Sequence, residues 1–138
     1  MRIALNSSIE LPFLFKEIGF LTDRAIINPL DVKYQQDIKI INIPMKRQNL
    51  VEYRKDLFST KPIYTNEEIN SILIVKKIKE CNIINQCNNI ISEITLIFGV
   101  QIKSDEISLL SAEESMGNNF YTLTLKVDEL DIEFYDLK

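Results

Sequence analysis

Along this chain of 138 residues the spacing of apolar positions changes near residue 94. From there it is two. Ile94, Leu96, Phe98, Val100 and Ile102 alternate with Thr95, Gly99, Gln101 and Lys103, with Ile97 out of step. Tyr121, Leu123, Leu125 and Val127 alternate with Thr122, Thr124, Lys126 and Asp128, and Leu130, Ile132 and Phe134 continue the pattern. Residues 107–110 form a shorter apolar run. Strict alternation is the mark of strands with one buried face. Turns between them come from Ser104-Asp105-Glu106, residues 111–119 and Asp128-Glu129. The short connections predict an antiparallel meander of about four strands.

Before residue 94 helical spacing dominates. Thr65-Asn66-Glu67-Glu68 reads as a capping box with Tyr64 and Ile69 as its hydrophobic staple. Glu67 and Glu68 sit at the end favoured for negative charge, and Lys76, Lys77 and Lys79 at the other, so a helix is predicted over 66–80. Ile83, Ile84, Cys87, Ile90, Ile91 and Ile94 predict a second helix over 83–93. Pro12 suits the first position of a helix over 13–20, whose Leu14, Ile18 and Leu21 share a face. Residues 2–5 read as an edge strand, and Asn28-Pro29-Leu30-Asp31 as a turn. Residues 37–43 read as a strand ended by Pro44, and 50–58 fit helix or strand equally. The expectation is therefore an α+β fold in a single domain, 1–138, with the C-terminal antiparallel meander packed against two or three helices.

Composition narrows the chemistry more than the fold. At 46 % hydrophobic and 26 % charged residues the chain lies in the globular range. Isoleucine occurs 23 times and asparagine 12 times, a bias that fits a bacterial or phage genome of low GC content. Histidine is absent, which removes Ser–His and Cys–His nucleophile pairs and imidazole metal sites. Gly19, Gly99 and Gly117 are too dispersed for a phosphate-cradling loop, and Cys81 and Cys87 too few for a cysteine zinc site. Six residues apart, those cysteines cannot pair on one helix and read as small buried hydrophobes. No secretion signal or bilayer-crossing run is visible, so a cytoplasmic protein without cofactor, and not an enzyme, is expected.

Charge adds the strongest asymmetry. Residues 1–79 carry thirteen Lys or Arg against nine Asp or Glu, whereas residues 80–138 carry three against eleven. If Leu130, Ile132 and Phe134 face the core, Glu129, Asp131, Glu133 and Tyr135 share the opposite face. Like charges so placed repel, and a cationic partner relieves them while being steered by their field. Asp128, Glu129, Asp131, Glu133 and Asp136 are thus the expected partner-binding carboxylates, with Tyr135 as anchor and Glu113 and Glu114 as further acids on the loop. Inhibitors of basic nucleases, immunity proteins against bacterial toxins among them, are likewise small, acidic and without catalytic residues. By this analogy of class alone, the expected function is a binding or inhibitor protein engaging a basic protein partner such as a toxin or nuclease.

Two alternatives stand beside it. One is a self-associating structural or adaptor subunit, a homodimer through the isoleucine-rich helix pair. The other is a metal-dependent enzyme using Asp, Glu and Lys, for which Asp31 and Asp37-Ile38-Lys39 offer the residue types at too short a spacing. The basic stretch Lys39, Lys46, Arg47, Arg54, Lys55 and Lys61, interleaved with Tyr53 and Phe58, has a composition that suits single-stranded nucleic acid. Glu52, Asp56 and the acidic second half weigh against that use. Phe13, Phe15 and Phe20 are expected in the core.

Overall fold

A computed structural model describes residues 2–6, 12–55, 57–85, 93–111 and 121–137, and the structural statements below concern these. Branched apolar residues on both sides of the central segments decide the architecture. A stretch such as Ser71-Ile72-Leu73-Ile74-Val75 places bulk on successive residues, which suits a pleated strand. The strands are β1 (Arg2–Asn6), β2 (Ile26–Ile27), β3 (Lys33–Gln35), β4 (Ile40–Lys55), β5 (Thr60–Val75), β6 (Ile78–Asn85), β7 (Ile94–Thr95), β8 (Gln101–Ile102), β9 (Glu106–Leu110), β10 (Tyr121–Val127) and β11 (Asp131–Asp136). A single α-helix, α1 (Pro12–Thr22), and a 3₁₀ turn at Pro29–Asp31 accompany them.

Two antiparallel sheets result. The first runs β1-β11-β5-β4-β2-β7, with β3 also on β4; the second runs β6-β10-β9-β8. Their apolar faces enclose one core, which includes Ile41, Ile43, Leu73, Ile132 and Phe134 from the first sheet and Ile107, Leu123 and Leu125 from the second. Ile18 and Leu21 of α1 join it.

The α+β expectation is therefore corrected to a mostly β fold with one helix. The predicted helix over 66–80 is the second half of β5 and the start of β6. Ser71, Leu73 and Val75 point inward, while Ile72 and Ile74 are half-buried on the other face. Apolar residues on both faces of a strand reproduce i, i+3, i+4 matches by accident. Thr65 does use its hydroxyl locally, accepting from the Glu67 amide at 3.3 Å, but within a strand. The helix over 83–93 fails likewise over 83–85, which belong to β6; residues 86–92 lie outside the described part.

The meander is also divided. β8, β9 and β10 are neighbours, but β11 crosses to the other sheet, between β1 and β5. The long strand expected over 94–103 is broken into β7 and β8 by Phe98 and Gly99, both at positive φ. Pro44 does not end a strand, since β4 continues through it. On that edge β3 pairs residues 40–42 and β2 pairs Lys46, so Pro44 falls in the gap between them. The ambiguous segment over 50–58 is strand as far as Lys55.

β4 and β5 are 16 residues each, roughly 50 Å at the usual strand rise, and pair along most of their length. β11 leaves β5 at Ser71 and β2 meets β4 at Lys46, so beyond those points the hairpin continues as a two-stranded ribbon. Two register shifts, between Gln48 and Glu52, bend it at this point. We call the part beyond them the arm.

Candidate interaction surface

The carboxylates singled out by sequence lie on or beside β11, and the structure answers most of them with cations from the front half. Leu130, Ile132 and Phe134 are buried, so Glu129, Asp131, Glu133 and Tyr135 do turn outward together. Arg2 Nη2 donates to Glu133 Oε1 at 2.8 Å, and Lys76 lies 3.5 Å from the other oxygen. Lys77 donates to Glu129 at 2.5 Å and lies 3.8 Å from Asp131. The hydrogen bond from Arg2 holds the Glu133 carboxyl below its usual range, and the bond to Glu129 raises the Lys77 ammonium. Arg2 also stands 5.1 Å over the ring of Tyr135, which is half-buried and in register with Ile72 and then Pro44 on an outward row. Asp128 is exposed in the turn before β11; Glu113 and Glu114 lie outside the described residues.

Asp136 turns inward instead. Its carboxylate takes three hydrogen bonds of 2.9–3.1 Å from the Arg47 guanidinium and one of 2.7 Å from Ser71. Burial pushes this carboxyl up, but the bonds from Ser71 and Arg47 outweigh it and hold it below the ordinary value. With Arg47 only 4 % exposed, the group is a structural clamp joining β4, β5 and β11 at the root of the arm.

The basic stretch is dispersed. Lys39 sits in the β3–β4 turn at the opposite end of β4, Lys46 lies 3.8 Å from Glu93, and Arg47 is buried. Arg54, Lys55 and Lys61 do gather on the arm, with Arg54 in register with Lys61. Past them the end of the arm presents Leu57 and Phe58, 92 % and 97 % exposed. Asp31 and Asp37 are exposed, and Asp37 and Lys39 lie in a turn rather than on a strand. Among the described residues no three His, Cys, Asp or Glu side chains stand close enough to hold a metal ion. Cys81 is half-buried opposite Leu125, and burial raises its thiol; Cys87 lies outside the described residues.

Helix α1 lies beneath the arm. Its seat is fixed by Gly99 at φ +66°, where an added Cβ would come 2.3 Å from the Gly19 carbonyl and 2.5 Å from Thr22 Oγ1. That buried hydroxyl donates to the Ile18 carbonyl at 2.6 Å and accepts from the Val100 amide at 2.8 Å. So held, α1 turns Phe20 toward the arm. Tyr53 meets Phe20 edge-on, ring centres 5.6 Å apart, and the Tyr64 hydroxyl donates to the Phe20 carbonyl at 2.5 Å. Phe15 and Phe20 are half-buried, which qualifies the core assignment; the Phe13 side chain lies outside the described part.

Between helix and arm runs an open, mainly apolar cleft of about 930 Å³, lined by Lys16, Glu17, Phe20, Tyr53, Lys55 and Thr60. A smaller recess of about 300 Å³ continues on the far flank of α1, under Phe98. Burial and then the Glu17 charge raise the Tyr53 phenol; burial, then Asp23 and Tyr53, push Tyr64 up to about 12. Both phenols are therefore neutral near pH 7 and serve as donors and apolar walls, not as bases. The cleft suits an apolar side chain, and the charges on its walls are two cations, Lys16 and Lys55, and one anion, Glu17. The sequence marks Tyr53, Phe58 and the adjacent cations as a composition suited to single-stranded nucleic acid, with Glu52 and Asp56 weighing against that use, and gives no sign of the arm that gathers them.

Comparison of the chain with protein-family models, with curated proteins and with solved structures finds no match. No helix among the described residues is long and apolar enough to cross a membrane.

Proposed function

We propose that this chain is a non-catalytic binding protein and that the β4–β5 arm is its contact element. The observation that carries this is the near-complete exposure of Leu57 and Phe58 at the end of a ribbon to which no other strand among the described residues is paired. Isolated two-stranded ribbons are marginal in water, and ordering one costs roughly 1–2 kcal/mol of backbone entropy per residue. An apolar pair at its end adds an aggregation hazard. A contact that covers the pair offsets both costs.

A second reading keeps the acidic strand as a docking site for a basic protein, such as a toxin. Tyr135, outward beside Ile72, supports it. The pairing of Glu129, Asp131 and Glu133 with Arg2, Lys76 and Lys77 takes away most of the field that would steer such a partner.

Placing a photo-crosslinking amino acid at Phe58, at Tyr135 and at Asn82 on the second sheet, within producing cells, tests the order of these readings. Adducts are expected at position 58 and not at 82. Adducts at 135 with none at 58 would hand the role to the acidic strand.

A further inference from the structure

We infer that the end of the arm docks on an anionic phospholipid surface, sinking Leu57 and Phe58 below the headgroups while the cations behind them meet the headgroup charges. The inference rests on the proposal that the arm is the contact element, and it names what the arm contacts. The order of residues back from the end carries it. Leu57 and Phe58 stand almost fully exposed in the turn that joins the two strands. The first rung behind them is Lys55 with Thr60, the second Arg54 with Lys61, and the third Tyr53 with Pro62. The first carboxylate on the strands, Glu52, comes only on the fourth, opposite Ile63. At the usual strand rise the cations lie roughly 5–10 Å behind the apolar pair, the depth to which an interfacial apolar face sinks past the headgroups. Tyr53 follows at the level where membrane-bound proteins place tyrosine, and its phenol, raised by burial and then by Glu17, stays neutral there.

Charge agrees with that partner. Residues 54–61 hold three cations against Asp56, which is +2 in a chain of −4. A negative surface therefore attracts this end and repels the remainder, so the chain approaches arm first. The cations also lie on both faces of the ribbon. Tyr53 and Lys55 turn toward α1, where Lys16 and Glu17 share the cleft with them, and Arg54 and Lys61 turn the other way. A flat anionic surface met end-on reaches both faces at once, whereas a nucleic-acid strand or a protein groove lies along one. Tyr53 is moreover set edge-on against Phe20, which takes from a base the ring it would stack on. A bilayer also needs no pocket matched to a convex end.

Co-sedimentation of the full chain with sucrose-loaded vesicles, at about 0.1 M salt, tests this. It should show binding to phosphatidylcholine vesicles carrying about 30 % phosphatidylserine and little to phosphatidylcholine alone. Arg54→Gln with Lys55→Gln should lower the partition coefficient by about tenfold or more, and Leu57→Ser with Phe58→Ser by at least as much. Both pairs should keep the melting temperature of the parent, because all four side chains are exposed. Lys79→Gln with Lys103→Gln removes the same charge from exposed positions on β6 and beside β8, and should leave binding within about twofold. The chain has no tryptophan, so Phe58→Trp supplies a sole reporter. Its emission should shift to the blue on vesicle addition and be quenched by brominated acyl chains. A chain that ignores phosphatidylserine vesicles, binding that survives either arm pair, or a tryptophan at 58 that stays in water on the bound chain overturns the inference. So does binding of oligothymidylate in place of vesicles. If vesicles are ignored while crosslinks from position 58 lead to proteins, the lipid surface is wrong and the arm remains the contact element. No adduct of any kind at 58 removes both.

Discussion

The two halves of the β4–β5 hairpin are built from the same strands and differ in almost everything else. At the root, Ile41, Ile43 and Met45 from β4 meet Leu73 and Val75 from β5, and none is more than 4 % exposed. Along the arm, Val51 to Lys55 and Leu57 to Lys61 are all exposed, and Arg54 faces Lys61 across the ladder. Stability is thus concentrated where the ribbon is enclosed, and the distal half is left free to be used. One residue type shows the contrast best. Arg47 is buried and clamped to Asp136 and Ser71, while Arg54 stands in solvent. Arg47→Ala leaves the Asp136 charge beneath the strands without its main partner, and we expect a loss of about 3 kcal/mol, at the low end for buried pairs because Asp136 is partly exposed. Arg54→Ala should change stability by less than about 0.5 kcal/mol. Urea denaturation of both variants measures the difference; equal effects would mean that root and arm are not distinct.

That contrast was hidden in the sequence, where Arg47 and Arg54 belong to one basic stretch. Burial of Arg47 depends on Asp136, 89 residues away, and no local pattern reports such a pairing. The strands β10 and β11 were legible because Thr122, Thr124 and Lys126, or Asp131 and Glu133, keep one face polar. β5 was not, because Ile72 and Ile74 supply the outward face with apolar residues as well. Helix α1 was legible from Pro12 and the spacing of Ile18 and Leu21. The two-sheet partition was not, since β11 parts from β10 across a turn that reads like any hairpin connection. At the site, the outward set Glu129, Asp131, Glu133 and Tyr135 followed from period two alone, whereas its cations come from residues 2, 76 and 77. For the arm, Tyr53, Phe58 and their cations were visible as composition, but the cleft beneath them requires α1 to be set against Gly99.

Gly99 offers a way to perturb the root and the base of the arm together. A methyl group there meets two atoms of α1 at 2.3 and 2.5 Å, on a backbone conformation that alanine adopts only with strain. Gly99→Ala should cost about 2 kcal/mol, less than the Arg47 change because α1 can shift outward. The same shift would carry Phe20 away from Tyr53 and Tyr64. The Tyr64 phenol, held at about 12, should then titrate closer to its ordinary value near 10, as ultraviolet absorbance between pH 8 and 13 would record. A variant that loses stability while Tyr64 keeps its high pKa would uncouple the helix seat from the arm.

The smallest effect is in acid, and it separates the clamp from the outward pairs. Asp136 and Glu133 both have folded-state pKa values below their ordinary 3.8 and 4.5. A carboxyl lowered on folding contributes stability that is complete above its ordinary value and is lost as pH falls through that value to the folded one. Unfolding free energy should therefore be level near neutrality and decline as pH drops from about 5 toward 3. Arg2→Ala removes the first cause of the Glu133 shift, so it should flatten the upper part of the decline. An Arg47→Leu, Asp136→Leu double change should flatten the lower part, where Asp136 titrates, and leave the upper part intact. Because Arg2 and Glu133 lie at the surface, 0.5 M salt should mimic the first variant and not the second. If salt erased the whole decline, the clamp at the root would be no more sheltered than the pairs on the outer face, and the division between a protected root and an exposed periphery would fail there first.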